Sequence, residues 1–190
     1  LRQSMGGILI EGPRACGKTS TGLQHAASSV RLDASPRLVE LASLNPDSLL
    51  TGNTPRLIDE WQLAPTLWNA VRHAIDQRQR VGQFILSGSA TPADDLTRHS
   101  GAGRFLRLRM RPMALAETGR GSAAVSLARL VDGEPPAPGS SPLSYRDLAV
   151  EAVRGGWPAL VGTSEKVAVR FNRAYCDDLT RTAVTEGVAT

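Results

Sequence analysis

The sequence predicts an α/β chain: a mostly parallel sheet between helical layers, three layers α/β/α in all, followed by a small helical extension. Three observations predict it. Short apolar runs alternate with helical patterns through the first two thirds of the 190 residues, the signature of strands joined by covering helices. A glycine-rich stretch, Gly12 to Thr19, stands between the first apolar run and the first helical pattern. A break rich in proline and glycine at 133–143 ends the alternation, and beyond it only helical periodicity is left.

Each element has its own warrant. Ile8-Leu9-Ile10, bounded by Gly6-Gly7 and Gly12-Pro13, suits a buried strand. Residues 17–29 read as a helix, Val30 to Asp33 as a second strand and Pro36 to Leu44 as a helix. Leu57-Ile58 form a third, short strand ahead of two acids. From Pro65, suited to a first helical turn, Leu67, Val71, Ala74 and Ile75 recur at helical spacing. Phe84-Ile85-Leu86 is a fourth strand. In Phe105 to Arg111, Leu106, Leu108 and Met110 alternate with Arg107, Arg109 and Arg111, a strand with one apolar face. Four prolines within 133–143 exclude a helix or central strand there. The domain boundaries follow: a core over 1–132, a linker over 133–143 and a helical extension over 144–190. In the extension, Ser144 and Asp147 fit a capping box for a helix that Gly155-Gly156 would end. A further helix from near Ser164 sets Val167, Phe171, Ala174, Tyr175 and Leu179 on one face.

Composition narrows the class. With 41% hydrophobic and 21% charged residues, the chain buries a real core and is neither disordered nor collagen-like. Two distant cysteines, Cys16 and Cys176, point to a reducing cytoplasm rather than a disulfide scaffold. No apolar run approaches the roughly 20 residues needed to span a bilayer. The net charge of +4 permits a phosphate-bearing partner without requiring one. The start at Leu1 and the stop just after a helical pattern read as a piece of something longer.

The chemistry starts at Gly12-Pro13-Arg14-Ala15-Cys16-Gly17-Lys18-Thr19, a complete GxxxxGK[ST] phosphate loop. Its glycines let the backbone curl so that amides face the phosphates, and the following helix adds its positive N-terminus. Lys18 is placed for the β- and γ-phosphates of ATP, the Thr19 hydroxyl for Mg²⁺, and Ser20 continues the cradle. Strand, loop and helix in that order are the P-loop NTPase arrangement. Cys16 falls at a variable position of the motif, so redox control is not expected of it. No N-K-x-D guanine-reading element and no GxGxxG follow, which disfavours a GTPase and a dinucleotide site.

Asp59-Glu60 closes the third strand. Asp59 is the second candidate for Mg²⁺, and Glu60 the candidate general base for an attacking water. Ser87 and Ser89, at the tip of the fourth strand, are candidates for contacting the γ-phosphate or orienting the water; an ordinary strand-to-loop turn explains them equally. Arg104 is a candidate arginine offered to a neighbouring subunit's γ-phosphate, which requires a homo-oligomer. Arg107, Arg109 and Arg111 read first as the solvated face of an edge strand. Trp61 and Trp68 read as packing. The three histidines lack metal-ligand spacing.

Gly12 to Thr19, Pro55 to Trp61, Phe84 to Ser89 and above all Gly103 to Glu117 (GRFLRLRMRPMALAE) resemble a large group of prokaryotic AAA-superfamily ATPases. Ser87 to Arg111 match particularly closely, with weaker similarity at Gly155 to Pro158 and near Tyr175. In that group a P-loop core precedes a C-terminal domain of unknown function. The resemblance implies that the chain is the ATPase core with its helical extension, leading into a C-terminal domain it lacks. It implies a strand inserted between the phosphate-loop and acidic-pair strands, which would put Ser87 or Ser89 beside the γ-phosphate. It carries over Lys18 and Thr19 for phosphate and Mg²⁺, Asp59 for Mg²⁺ and Glu60 for water. Slow Mg²⁺-dependent ATP hydrolysis coupled to an attached domain or partner is the leading expectation. A nucleotide-gated switch with little turnover and a DNA-associated ATPase are the alternatives.

Overall fold

The computed structural model describes residues 4–88, 101–121, 125–135 and 141–185, with the side chains of 183–185 excepted. Residues to Arg111 form one compact unit and those from Pro112 a second.

In the first unit β1 (Gly7–Glu11) leads through the phosphate loop into α1 (Lys18–His25). Then come β2 (Ser28–Arg31), α2 (Pro36–Leu44), α3 (Pro46–Leu49), β3 (Arg56–Asp59), α4 (Thr66–Arg78), β4 (Phe84–Ser87) and β5 (Phe105–Arg109). The five strands form one sheet in the order β2-β3-β4-β1-β5, every neighbouring pair parallel. Thus β4 lies between the phosphate-loop strand and the acidic-pair strand, as the resemblance implied. In parallel strands all C-terminal ends share one edge, where ligands of open α/β sheets bind.

Both faces are covered, so the central strands are apolar on both sides. Toward α2 and α4, Leu9, Ile58, Phe84, Leu86 and Phe105 pack with Leu32, Leu67, Val71 and Ile75. Trp61 and Trp68, 1% and 4% exposed, pack there as expected, with ring centroids 5.3 Å apart; Trp68 also stacks on Phe105. On the other face Ile8, Ile10, Leu57 and Ile85 meet α1. Gly22 lets that helix approach: a Cβ there would stand 2.8 Å from Leu57 Cδ1.

Sequence and structure part over 17–33. The helix expected to run to 29 ends at His25, and the strand expected from Val30 begins at Ser28, with Leu32–Ala34 in a 3₁₀ turn. Pairing with β3 decides this, since Ser28 to Arg31 align with Arg56 to Asp59. The helix preference of Ala26-Ala27 is weak beside a ladder of hydrogen bonds. At the far edge β5 stops at Arg109, although the Met110 amide still donates to Glu11 O at 2.7 Å.

The second unit contains α5 (Leu127–Val131), α6 (Tyr145–Arg154) and α7 (Glu165–Thr185). The capping box forms: the Ser144 hydroxyl accepts from the Asp147 amide at 3.2 Å, and the Asp147 carboxylate accepts from the Ser144 amide at 2.8 Å. Gly155 ends α6 with φ 72. Leu160 and Ala168 are the buried centre, and Trp157 packs on Tyr175. Of the expected α7 face, Phe171 and Tyr175 are half-buried, but Val167 and Leu179 are exposed. The compact units part at Arg111, ahead of the composition boundary at 132. Within the expected linker, 136–140 lie outside the described residues.

Candidate functional site

The C-terminal edge of the sheet gathers the phosphate loop from β1, Asp59 from β3 and Ser87 from β4. Gly12 leaves β1 where a Cβ would sit 2.6 Å from the Met110 carbonyl oxygen, so only glycine fits between the loop and β5. Ala15 and Gly17 have φ of 62 and 100, left-handed conformations that curl the loop and turn its amides inward. Arg14, Ala15 and Ser20 are exposed, whereas Cys16 is packed inside the loop. Lys18, only 6% exposed, donates to Gly12 O at 2.9 Å and Pro13 O at 2.8 Å. Its ammonium is therefore held against the loop's own carbonyls, along the path where a phosphate chain would run.

Asp59, 2% exposed, is the electrostatic centre. Thr19 Oγ1 donates to its Oδ2 at 2.8 Å, and the fully buried Ser87 hydroxyl donates to its Oδ1. The register explains the meeting: Asp59 is level with Ser87, and Ser87 with Ile10 at the end of β1. A buried carboxylate needs donors or a cation to stay charged. Thr19 and Asp59 supply two hard oxygens, a set that suits Mg²⁺ when phosphate oxygens and water complete its shell. Among the described residues no group of three or more His, Cys, Asp or Glu could hold a metal ion.

Glu60 follows in a left-handed conformation, φ 55, which costs a non-glycine residue about 1–3 kcal/mol. Its half-buried carboxylate accepts a hydrogen bond from the Gln62 amide. Ser87 joins the site through Asp59, while Ser89 lies outside the described residues. Arg104 does not join it. It precedes β5, and β5 runs in parallel beside β1, so Arg104 stands at the opposite edge, about 16 Å away at ~3.3 Å per residue. There it pairs with Asp76 at 2.9 Å. The hydrogen bond between them pulls the Asp76 carboxyl below its usual range and raises the Arg104 guanidinium above its own. Arg107 pairs with Glu11 at 2.6 Å.

Two residues near Asp59 and Glu60 escape motif reasoning. Arg31, at the tip of β2, brings Nε to 3.7 Å from Asp59 Oδ2; only the strand register could have pointed to it. Gln62 carries no signal except its position two residues after Glu60.

Residues 5–119 match the family model described as an AAA domain. The chain belongs to the AAA domain family. The match spans all five strands and the phosphate loop; it stops at 119, before α5, and says nothing of a C-terminal domain. Among curated proteins none matches the sequence. Nucleotide binding and hydrolysis are the general chemistry of an AAA domain, and the parallel sheet with its loop at the C-terminal edge is the fold that supports them. Among the described residues no helix is long and apolar enough to cross a membrane.

Proposed function

We propose that this AAA domain binds ATP as its Mg²⁺ complex along Gly12 to Ser20 and hydrolyses it slowly, driving a conformational change in an attached domain or partner. One observation carries the proposal: the Thr19 hydroxyl and the buried Asp59 carboxylate meet at 2.8 Å beside a buried Lys18. These are the three side chains a triphosphate and its metal require at one point.

Each residue then has a task. Gly12 to Gly17 turn their amides to the phosphates, and Lys18 exchanges the Gly12 and Pro13 carbonyls for phosphate oxygens. Thr19 and Asp59 would hold Mg²⁺, which supplies charge neutralisation of the phosphates when bound. Ser87 fixes the Asp59 carboxylate. Glu60 takes a proton from the attacking water. Arg104 is too far from its own loop to serve it, so a catalytic role for it exists only toward a neighbouring subunit in a homo-oligomer, where it would have to leave Asp76.

A specific observation also favours the nucleotide-gated switch: Glu60 is already engaged by Gln62, an arrangement that slows turnover while leaving binding intact. ATP turnover by wild type and Glu60→Gln tests the base. A fall of about 10²–10⁴ is expected of a lost general base; equal rates would remove Glu60 from the mechanism, and tight binding with negligible wild-type turnover would favour the switch.

A further inference from the structure

Arg31 sits where two opposite demands meet. Because β2 pairs with β3 in the register Arg31↔Asp59, its side chain leaves the strand level with the buried carboxylate. The guanidinium has two acidic neighbours. Its terminal nitrogen donates to Asp33 Oδ2 at 3.1 Å, and its Nε lies 3.7 Å from Asp59 Oδ2. The first is a hydrogen bond between half-exposed groups; the second is too long for one, so it is a charge–charge contact. That second contact is made to the same oxygen that accepts from Thr19. Two cations, a guanidinium and a divalent ion, would thus draw on one buried oxygen.

We propose that Arg31 is a positioning residue that sets the divalent-cation affinity of the nucleotide site by competing for Asp59 Oδ2, with Asp33 as the tether that keeps the guanidinium at partial distance. The inference rests on the Mg²⁺–ATP reading of the loop. It needs no hydrogen bond to break, because the long contact to Asp59 can be given up while the bond to Asp33 stays. Asp33 then takes the whole guanidinium when a metal holds Asp59.

The test titrates Mg²⁺ against the full chain with a fluorescent ATP analogue, reading polarisation rather than turnover. In Arg31→Gln the half-saturating Mg²⁺ concentration falls about fivefold, the upper end for an ion pair with one exposed partner. Arg31→Lys, which keeps the charge, stays near wild type. Asp33→Asn cuts the tether, hands the guanidinium to Asp59 and moves the midpoint upward. Opposite shifts from Arg31→Gln and Asp33→Asn are not expected of residues that merely support the fold. An unchanged or raised midpoint in Arg31→Gln, with nucleotide still bound at saturating Mg²⁺, overturns this inference alone. No binding of the analogue by wild type at any Mg²⁺ concentration overturns the ATP reading as well.

Discussion

Replacing Asp59 separates what the site needs from what the fold needs. The carboxylate is 2% exposed, and removing a charge from water costs several kcal/mol. Against that stand hydrogen bonds from Thr19 and Ser87, each worth about 1.5–3 kcal/mol to a charged acceptor, and the Arg31 contact, about 0.2–1 kcal/mol. The terms nearly cancel. Asp59→Asn keeps the shape and an acceptor oxygen for Ser87 while removing the buried charge, so stability should change by less than about 1 kcal/mol or rise. Asp59→Ala leaves the Ser87 hydroxyl unpaired where it is fully buried and opens a hole, a loss of about 2–4 kcal/mol. Urea unfolding followed by the emission of Trp61 and Trp68, both buried in this unit, reads the difference at constant m-value. Both variants should lose the Mg²⁺ dependence of nucleotide binding. If Asp59→Asn proves as unstable as Asp59→Ala, the charge is supported by the fold rather than held for a cation, and the argument fails.

Two further outcomes follow from named contacts. Gln62→Ala frees the Glu60 carboxylate and should raise kcat several-fold with ATP affinity unchanged, measured by steady-state turnover; a fall in kcat would mean that Gln62 aims Glu60 instead of restraining it. In the second unit, Glu151 is 8% exposed, and hydrogen bonds and charge from Arg154 and Arg120 hold its carboxyl below the usual value near 4.5. A depressed folded pKa means stabilisation that is complete above the unfolded value and lost as pH falls through the folded one. Thermal unfolding of the helical unit should therefore shift downward below about pH 4.5, and Glu151→Gln should flatten that slope; an unaltered slope would assign the acid sensitivity elsewhere.

What the sequence made legible was whatever is local. The loop, both strong β1 and β4 runs, the Ser144–Asp147 cap and the α4 periodicity depend on spacing within a few residues, and spacing is visible in one dimension. The start of β2 was not legible, because Ser28 and Ser29 become strand only by pairing with Arg56 and Leu57. The same limit hid part of the site. Arg31 reaches Asp59 through the β2–β3 register, and Gln62 reaches Glu60 through a left-handed turn. Arg104 was expected to act only on a neighbouring subunit's nucleotide; the direction of β5 sets it at the edge of the sheet away from its own loop, where it pairs with Asp76.

The inserted strand sets the spacing between the acidic pair and the loop. Strands pair about 4.8 Å apart, so β1 and β3, with β4 between them, stand about 10 Å apart. With β4 between them, Lys18 turns to the Gly12 and Pro13 carbonyls, and the Asp59 charge meets only hydroxyls and the outlying Arg31. At the tip of β4, between the two, the buried Ser87 hydroxyl donates to Asp59. On the proposed Mg²⁺–ATP reading, a small hydroxyl residue at 87 serves two ends at once: it donates to Asp59 and leaves room between Lys18 and Asp59 for a phosphate and a metal.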